Sequence, residues 1–214
     1  MFNIDPSTLF SKLIILLIAF PIHELAHAVT ANYFGDDTPR MNGRLTLNPI
    51  AHLDPIGSLL LLVSWFGWAK PVPVNPYTLQ RRSPAAMMWV SLAGPFSNLL
   101  MAIAAAIPFR LGMVSSLEAQ LAMSTGGSHF WPTLPQILWI FIYLNLLLML
   151  FNLIPIAPLD GEKIAEYFFT PSMNRFMDNI RPYGPIILLA VIFVGVLSWI
   201  ILPPLSFLMR LLVG

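Results

Sequence analysis

Residues 23–27 read His-Glu-Leu-Ala-His. On a helix, positions i and i+4 share a face, so imidazoles at this spacing can grip one metal ion, and the Glu between them can serve as general base. Zinc in such a site makes water acidic at about pH 7 and polarises a peptide carbonyl. Glu24 then takes a proton from that water and passes it to the leaving amide nitrogen. The bland alternative is a pair of buried histidines bonded to neighbouring helices. The surroundings speak against it, because ionisable residues inside an apolar helix are costly and are functional by default.

A catalytic zinc takes three protein ligands and keeps one position open. The chain has no cysteine, so the third ligand is a His, Asp or Glu. Candidates are His52, Asp54, His129, Asp160 and Glu162. Asp160 is the strongest on local grounds. It follows a long apolar stretch, and Pro155 and Pro158 free the backbone just before it. Irregular backbone at membrane depth is tolerated where it lines a polar cavity.

The elements that must position these residues are long apolar helices. A first helix is expected from about Ser7 to Phe34, capped by Ser7 or Thr8 and stopped by Gly35 with Asp36 and Asp37. A second fits Pro84 to Leu111 and a third Leu134 to Leu153. Asn42–Gly43 reads as a hairpin turn. Three prolines in residues 71–76 forbid a helix and predict an extended segment. Residues 162–182 are mixed polar and interfacial in character. Residues 184–213 are apolar and interrupted by Pro203–Pro204, which allows one span with a short tail or a hairpin.

The order of these helices tests Asp160. Residues 56–68 are too few for the roughly 17 needed to cross a bilayer. If they do not cross, the first and third helices end on the same side, and His23, His27 and Asp160 can meet. If they do cross, the ligand set falls apart. A zinc site therefore requires residues 56–68 to be re-entrant or interfacial. On that topology Arg40, Arg44, Lys70, Arg81, Arg82, Lys163, Arg175 and Arg181 share one side, and the opposite loop, residues 112–133, has no Lys or Arg. The positive side is the cytoplasmic one. The metal site then lies about 10 Å from the end of the first helix, at 1.5 Å per residue.

Composition agrees. The chain is 57% hydrophobic and 10% charged, with mean hydropathy +0.76; a soluble domain is about 25% charged. A net charge of +1 gives no pull toward nucleic acid. The fold class expected is an all-α polytopic membrane protein. It has a three-helix catalytic core, one or more further C-terminal membrane helices, short extended or β segments and a re-entrant element on the cytoplasmic side. Residues 1–214 are expected to form one unit.

Several stretches resemble the site-2 protease family of intramembrane metalloproteases. Besides His23–His27 they are residues 48–57 (Asn-Pro-Ile-Ala-His-Leu-Asp-Pro-Ile-Gly) and residues 67–76, ending in Lys-Pro-Val-Pro-Val-Asn-Pro. Two more are Gly94-Pro95 with Asn98, and residues 152–161, an N-x-x-P-x-x-x-x-D-G pattern. The resemblance to compact prokaryotic members implies one zinc per chain on His23, His27 and Asp160, with Glu24 as base. It implies membrane-spanning protein segments as substrates, cut in regulated intramembrane proteolysis, and a prokaryotic cell membrane as the location. It suggests that residues 40–47 and 71–76 hold substrate as an added strand. Asn152 and Asn98 become candidates for contact with substrate or the oxyanion, each set against a helix-packing bond. His52 and Asp54 are either outer partners of the site or a local turn-stabilising pair. Gly57 and Gly94 are expected to permit close packing.

Two other readings compete: a metal-binding membrane transporter and a non-proteolytic scaffold. A transport path calls for ionisable residues at several depths, whereas these cluster at one level. Glu24, the residue a scaffold has no use for, is present.

Overall fold

A computed structural model describes residues 6–63, 67–124 and 132–214. Among them there is no β-strand, only an isolated antiparallel bridge between Leu53 and Ala69. The chain opens with α1 (Pro6–Ile14), runs through a π-helical stretch (Ile15–Ala19) and continues as α2 (Phe20–Tyr33). Gly35, at φ 85°, ends α2 as expected. The buried residues of α2 include Phe20, His23, Glu24, His27, Ala28 and Ala31. That is the three-and-four spacing of a helix with one face packed.

Next come α3 (Thr38–Met41), α4 (Pro55–Val63) and α5 (Pro76–Arg82). The expected hairpin at Asn42–Gly43 is not formed. Gly43, at φ 66°, terminates the short helix α3, with its N–H on the Arg40 carbonyl and the Arg44 N–H on the Pro39 carbonyl. That is a Schellman closure, in which an Asn-Gly pair serves a helix end as readily as a hairpin.

The nine residues of α4 are too few to cross a bilayer. The two ends of this excursion lie side by side. Leu53 bridges Ala69, and the Lys70 N–H donates to the His52 carbonyl at 2.8 Å. The segment therefore enters and returns on one face, the re-entrant form that a His23–His27–Asp160 site requires. A Cβ on Gly57 would lie 2.2 Å from the Trp68 carbonyl oxygen, so only glycine lets the returning chain come this close. Lys12, buried in the first helix, sets its Nζ 3.4 Å from the Leu62 carbonyl near the inner end of α4. It is an intramembrane charge about 16 Å from His23 along the helix, outside the single level expected from the sequence.

The long helix α6 (Ala86–Arg110) packs against α2, against α8 (Leu134–Asn152) and against α9 (Asp160–Phe168). The loop before α8 carries α7 (Ser116–Ser124). Beyond α9 lie α10 (Pro171–Ile180), α11 (Gly184–Phe193) and α12 (Val196–Val213). The break in the C-terminal apolar stretch is at Gly195, φ 79°, while Pro203 and Pro204 lie inside α12. A left-handed glycine stops a helix outright, whereas a helix packed in lipid tolerates proline.

Among the described residues five segments are long and apolar enough to cross a membrane, Pro171–Phe193 among them. Contacts decide which of the last two crosses. Gly184 seats against Ala157, beside Asp160, and Arg181 is paired with Glu162. Only the ten residues of α11 remain to make that crossing, about 15 Å at 1.5 Å per residue. The Arg110 Nε–H meets the Leu212 carbonyl at 2.9 Å, so α12 ends where α6 ends, on the face opposite Asp160. Asp160 and Leu212 lie on opposite faces, so an odd number of crossings separates them. α12 completes that crossing, and residues 171–193 add no second one, although Leu188 packs into the bundle core. The buried stripe of α12, Leu197, Ile201, Leu205, Met209 and Val213, faces the bundle, while Trp199 is 87% exposed. In lipid such exposure carries no hydrophobic cost.

Candidate metal centre

His23 and His27 face α6 at Gly94. A Cβ there would stand 2.3 Å from the His27 Nε2 and 2.6 Å from the His23 Cε1, so glycine is what lets α6 pack over both rings. Asp160 begins α9, which folds back on the end of α8. A Cβ on Gly161 would meet the Leu153 and Ile154 carbonyl oxygens at 2.4 Å.

Each imidazole is held by its Nδ1. His27 Nδ1 lies 2.7 Å from the Val90 carbonyl, which can only accept, so Nδ1 carries a proton and in the neutral ring Nε2 is the nitrogen free to ligate. His23 Nδ1 lies 2.5 Å from the Asn98 Oδ1. The two Nε2 atoms are 3.0 Å apart, and the Asp160 Oδ2 is 3.3 Å from each. This oxygen is buried and makes no well-aligned hydrogen bond. Burial on its own raises a carboxyl pKa, but the facing His27 and His23 outweigh it and hold Asp160 below the usual carboxylate range. The carboxylate is therefore ionised at neutral pH.

Three potential electron-pair donors thus converge, two imidazole Nε2 atoms and one carboxylate oxygen. Such a cluster is held together only by a cation at its centre, a shared proton or a metal ion. Zinc bonds of about 2.0–2.1 Å in a tetrahedron set neighbouring ligands about 3.3 Å apart, the spacing found here. The residues fit a zinc ion, and all three line the neighbouring cavity. Among the described residues this is the one group of three His, Asp or Glu side chains close enough to share a metal.

The cavity beside it, about 470 Å³, is lined by His23, Glu24, His27, Asp160 and Asn152 on the polar side and mainly by apolar residues elsewhere. Asn152 donates an Nδ2–H to the Leu148 carbonyl, leaving its second N–H and Oδ1 available. Asn98 does not line the cavity. It is wholly buried behind His23, which places it as a holder of the ring. His52 and Asp54 also lie away from the cluster. His52 is wholly buried with Nε2 on the Thr46 carbonyl, and Asp54 Oδ1 accepts from the Ile56 and Gly57 N–H groups at the start of α4. Glu162 is engaged by Arg181, and His129 lies outside the described residues.

The sequence reading missed two residues at the rim. Asp36, buried, accepts the Asn75 N–H on Oδ2 at 2.6 Å. Arg44, also buried, donates to the Ala51, Lys70 and Pro71 carbonyls at 2.7 to 3.1 Å. Together they clamp both ends of residues 71–75 along the cavity. Val72 and Val74 line it, and their backbone N–H and C=O groups have no hydrogen bond among the described residues. Nothing in the local sequence marks these two charges, because their partners are main-chain groups up to 39 positions away.

Residues 111–195 match the family model for peptidase family M50. "Putative zinc metalloprotease YwhC" of Bacillus subtilis (strain 168) is 43% identical over 202 residues, covering 94% of this chain and 89% of that protein. The chain belongs to peptidase family M50, the site-2 proteases. "Putative zinc metalloprotease Rip2" of Mycolicibacterium smegmatis is 28% identical over 85% of the chain and 66% of its own length. The Rip2 of Mycobacterium tuberculosis (strain H37Rv) is 28% identical over 86% and 70%. No solved structure matches the chain. This M50 member is an integral membrane protein, and the family model covers Asp160 while the YwhC likeness extends over most of the chain.

Proposed function

We propose that this M50 protein is a zinc endopeptidase that cuts other membrane proteins within or beside their transmembrane segments, as in regulated intramembrane proteolysis. The observation that carries the reading is the convergence of His23, His27 and Asp160 on the wall of a cavity among membrane helices. These three would hold one zinc per chain. Zinc supplies Lewis acidity toward water and toward the scissile carbonyl.

The protein's own groups do the rest. Val90 and Asn98 keep both rings turned with Nε2 inward. Asp160 brings the negative charge that partly balances the metal. Glu24, in the cavity wall, accepts a proton from water on its carboxylate and delivers it to the departing amide nitrogen. A helical peptide bond is shielded by its own hydrogen bonds, so substrate must unwind first. The unpaired Val72 and Val74 backbone offers an edge on which it can lie extended. Asn152, which lines the same cavity, would hold the substrate main chain. Eight Lys and Arg in residues 35–83 and 154–183 support a cytoplasmic position for this face.

The test is a panel of single-span membrane proteins in proteoliposomes, with products mapped by mass spectrometry. Cuts inside or within a few residues of the apolar segment support the reading. Cleavage confined to water-soluble peptides contradicts it.

A further inference from the structure

A chain of hydrogen bonds leads from His23 to the middle of α8 and ends on a main-chain carbonyl. The Phe141 carbonyl can only accept, and Asn145 Nδ2 donates to it at 2.8 Å. The Asn145 amide oxygen therefore faces the other way and accepts from Asn98 Nδ2 at 3.0 Å. That leaves Asn98 Oδ1 toward His23 Nδ1. Asn98 and Asn145 are both wholly buried.

Asn98 alone has no reason to point this way. Turned over, its NH2 would face His23, whose proton would have to move to Nε2, the nitrogen a metal needs bare. With Asn145 in place, a turned Asn98 sets two amide oxygens against each other and two NH2 groups without partners. His27 needs no such device, because the Val90 carbonyl fixes its ring directly.

We infer that Asn145 is a positioning residue of the metal centre: anchored on the Phe141 carbonyl, it fixes the orientation of Asn98 and so keeps His23 in the ligating tautomer. This rests on the reading of His23, His27 and Asp160 as zinc ligands. It predicts that a side chain on α8, which touches neither metal nor substrate, sets zinc affinity through one histidine.

The experiment is chelator competition for zinc on the purified full-length protein. The variants are Asn145→Leu, Asn145→Ala, Asn145→Asp, Asn98→Ala, the double variant Asn98→Ala/Asn145→Leu, and His27→Ala. Loss of an outer partner of a metal ligand weakens affinity about 10- to 100-fold, and that is the loss expected for Asn145→Leu. Asn145→Ala is the milder deletion, carrying the same expectation if the Leu variant does not fold. An aspartic acid here is protonated by burial. Its O–H can donate to Phe141 and its carbonyl can accept from Asn98, so Asn145→Asp retains affinity close to wild type. With Asn98 already alanine, Asn145→Leu has no further effect. Wild-type affinity in both deletion variants overturns the inference. So does equal loss in Asn145→Asp, or an undiminished loss in the Asn98→Ala background. His27→Ala separates the two levels: if it retains full zinc affinity, the ligand set itself is wrong and the inference falls with it.

Discussion

Gly94 governs how close α6 comes to the two imidazoles. A methyl group there would lie 2.3 Å from the His27 Nε2, so Gly94→Ala must displace a ring or the helix. We expect zinc affinity to fall at least tenfold, about 1.4 kcal/mol, as read by chelator competition, with helix content by circular dichroism unchanged. Asp160→Asn keeps the shape but removes the ligand charge, and is expected to lose stoichiometric zinc. At this scale the sequence was highly legible. The i and i+4 spacing of His23 and His27 comes from helix geometry alone, and Asp160 is the strongest of five candidates on local grounds, a choice the count of membrane crossings allows. The supporting contacts were less legible. In the sequence Asn98 stands between substrate contact and a helix-packing bond, with packing favoured; that its partner is His23 depends on how α6 packs against α2. Asn145 gave no signal, since an Asn inside an apolar helix reveals its partner only when the neighbouring helix is placed.

At the scale of elements, the cavity rim is an extended strip clamped by two buried charges. Arg44→Met removes three donated bonds to the Ala51, Lys70 and Pro71 carbonyls. The strip loosens while the metal ligands stay put. The expected result is unchanged zinc content and kcat/KM lowered about tenfold or more, the equivalent of one charge-assisted hydrogen bond. Zinc loss in Arg44→Met would show that the clamp serves the metal centre instead. The prolines of residues 71–76 made the extended strip legible, because they exclude a helix whatever surrounds them. Asn42–Gly43 misled because the same pair suits two turns. The choice went to the helix end, where the Arg44 N–H closes on the Pro39 carbonyl. The break at Gly195 was hidden by a stronger formal signal, Pro203–Pro204, which a lipid-embedded helix absorbs.

At the level of the whole bundle, the contacts among the described residues support four crossings, α1–α2, α6, α8 and α12, out of five segments long and apolar enough to span, with the re-entrant α4 and α9 on the side of the metal centre. The absence of cysteine makes this testable with single introduced thiols. Cysteines at Gln80 and Met173 should react with an impermeant maleimide from one side of oriented vesicles, and cysteines at Leu117 and Gly214 from the other. Labelling of Gly214→Cys together with Met173→Cys would mean that residues 171–193 cross after all. Crossing number was only partly legible in the sequence. Hydropathy weighs residues 171–193 as a span, and only the seats of Gly184 on Ala157 and Arg181 on Glu162 hold them to one face. Whether zinc on His23, His27 and Asp160 works with Glu24 as the base comes down to one comparison. Zinc per chain and cleavage of a membrane-spanning substrate are measured on wild type and Glu24→Gln in the same proteoliposomes. We expect one zinc in both, and a rate lowered about 10²- to 10⁴-fold in Glu24→Gln, the usual contribution of a general base. Unimpaired cleavage by Glu24→Gln, or cleavage by wild type with no zinc bound, would contradict it.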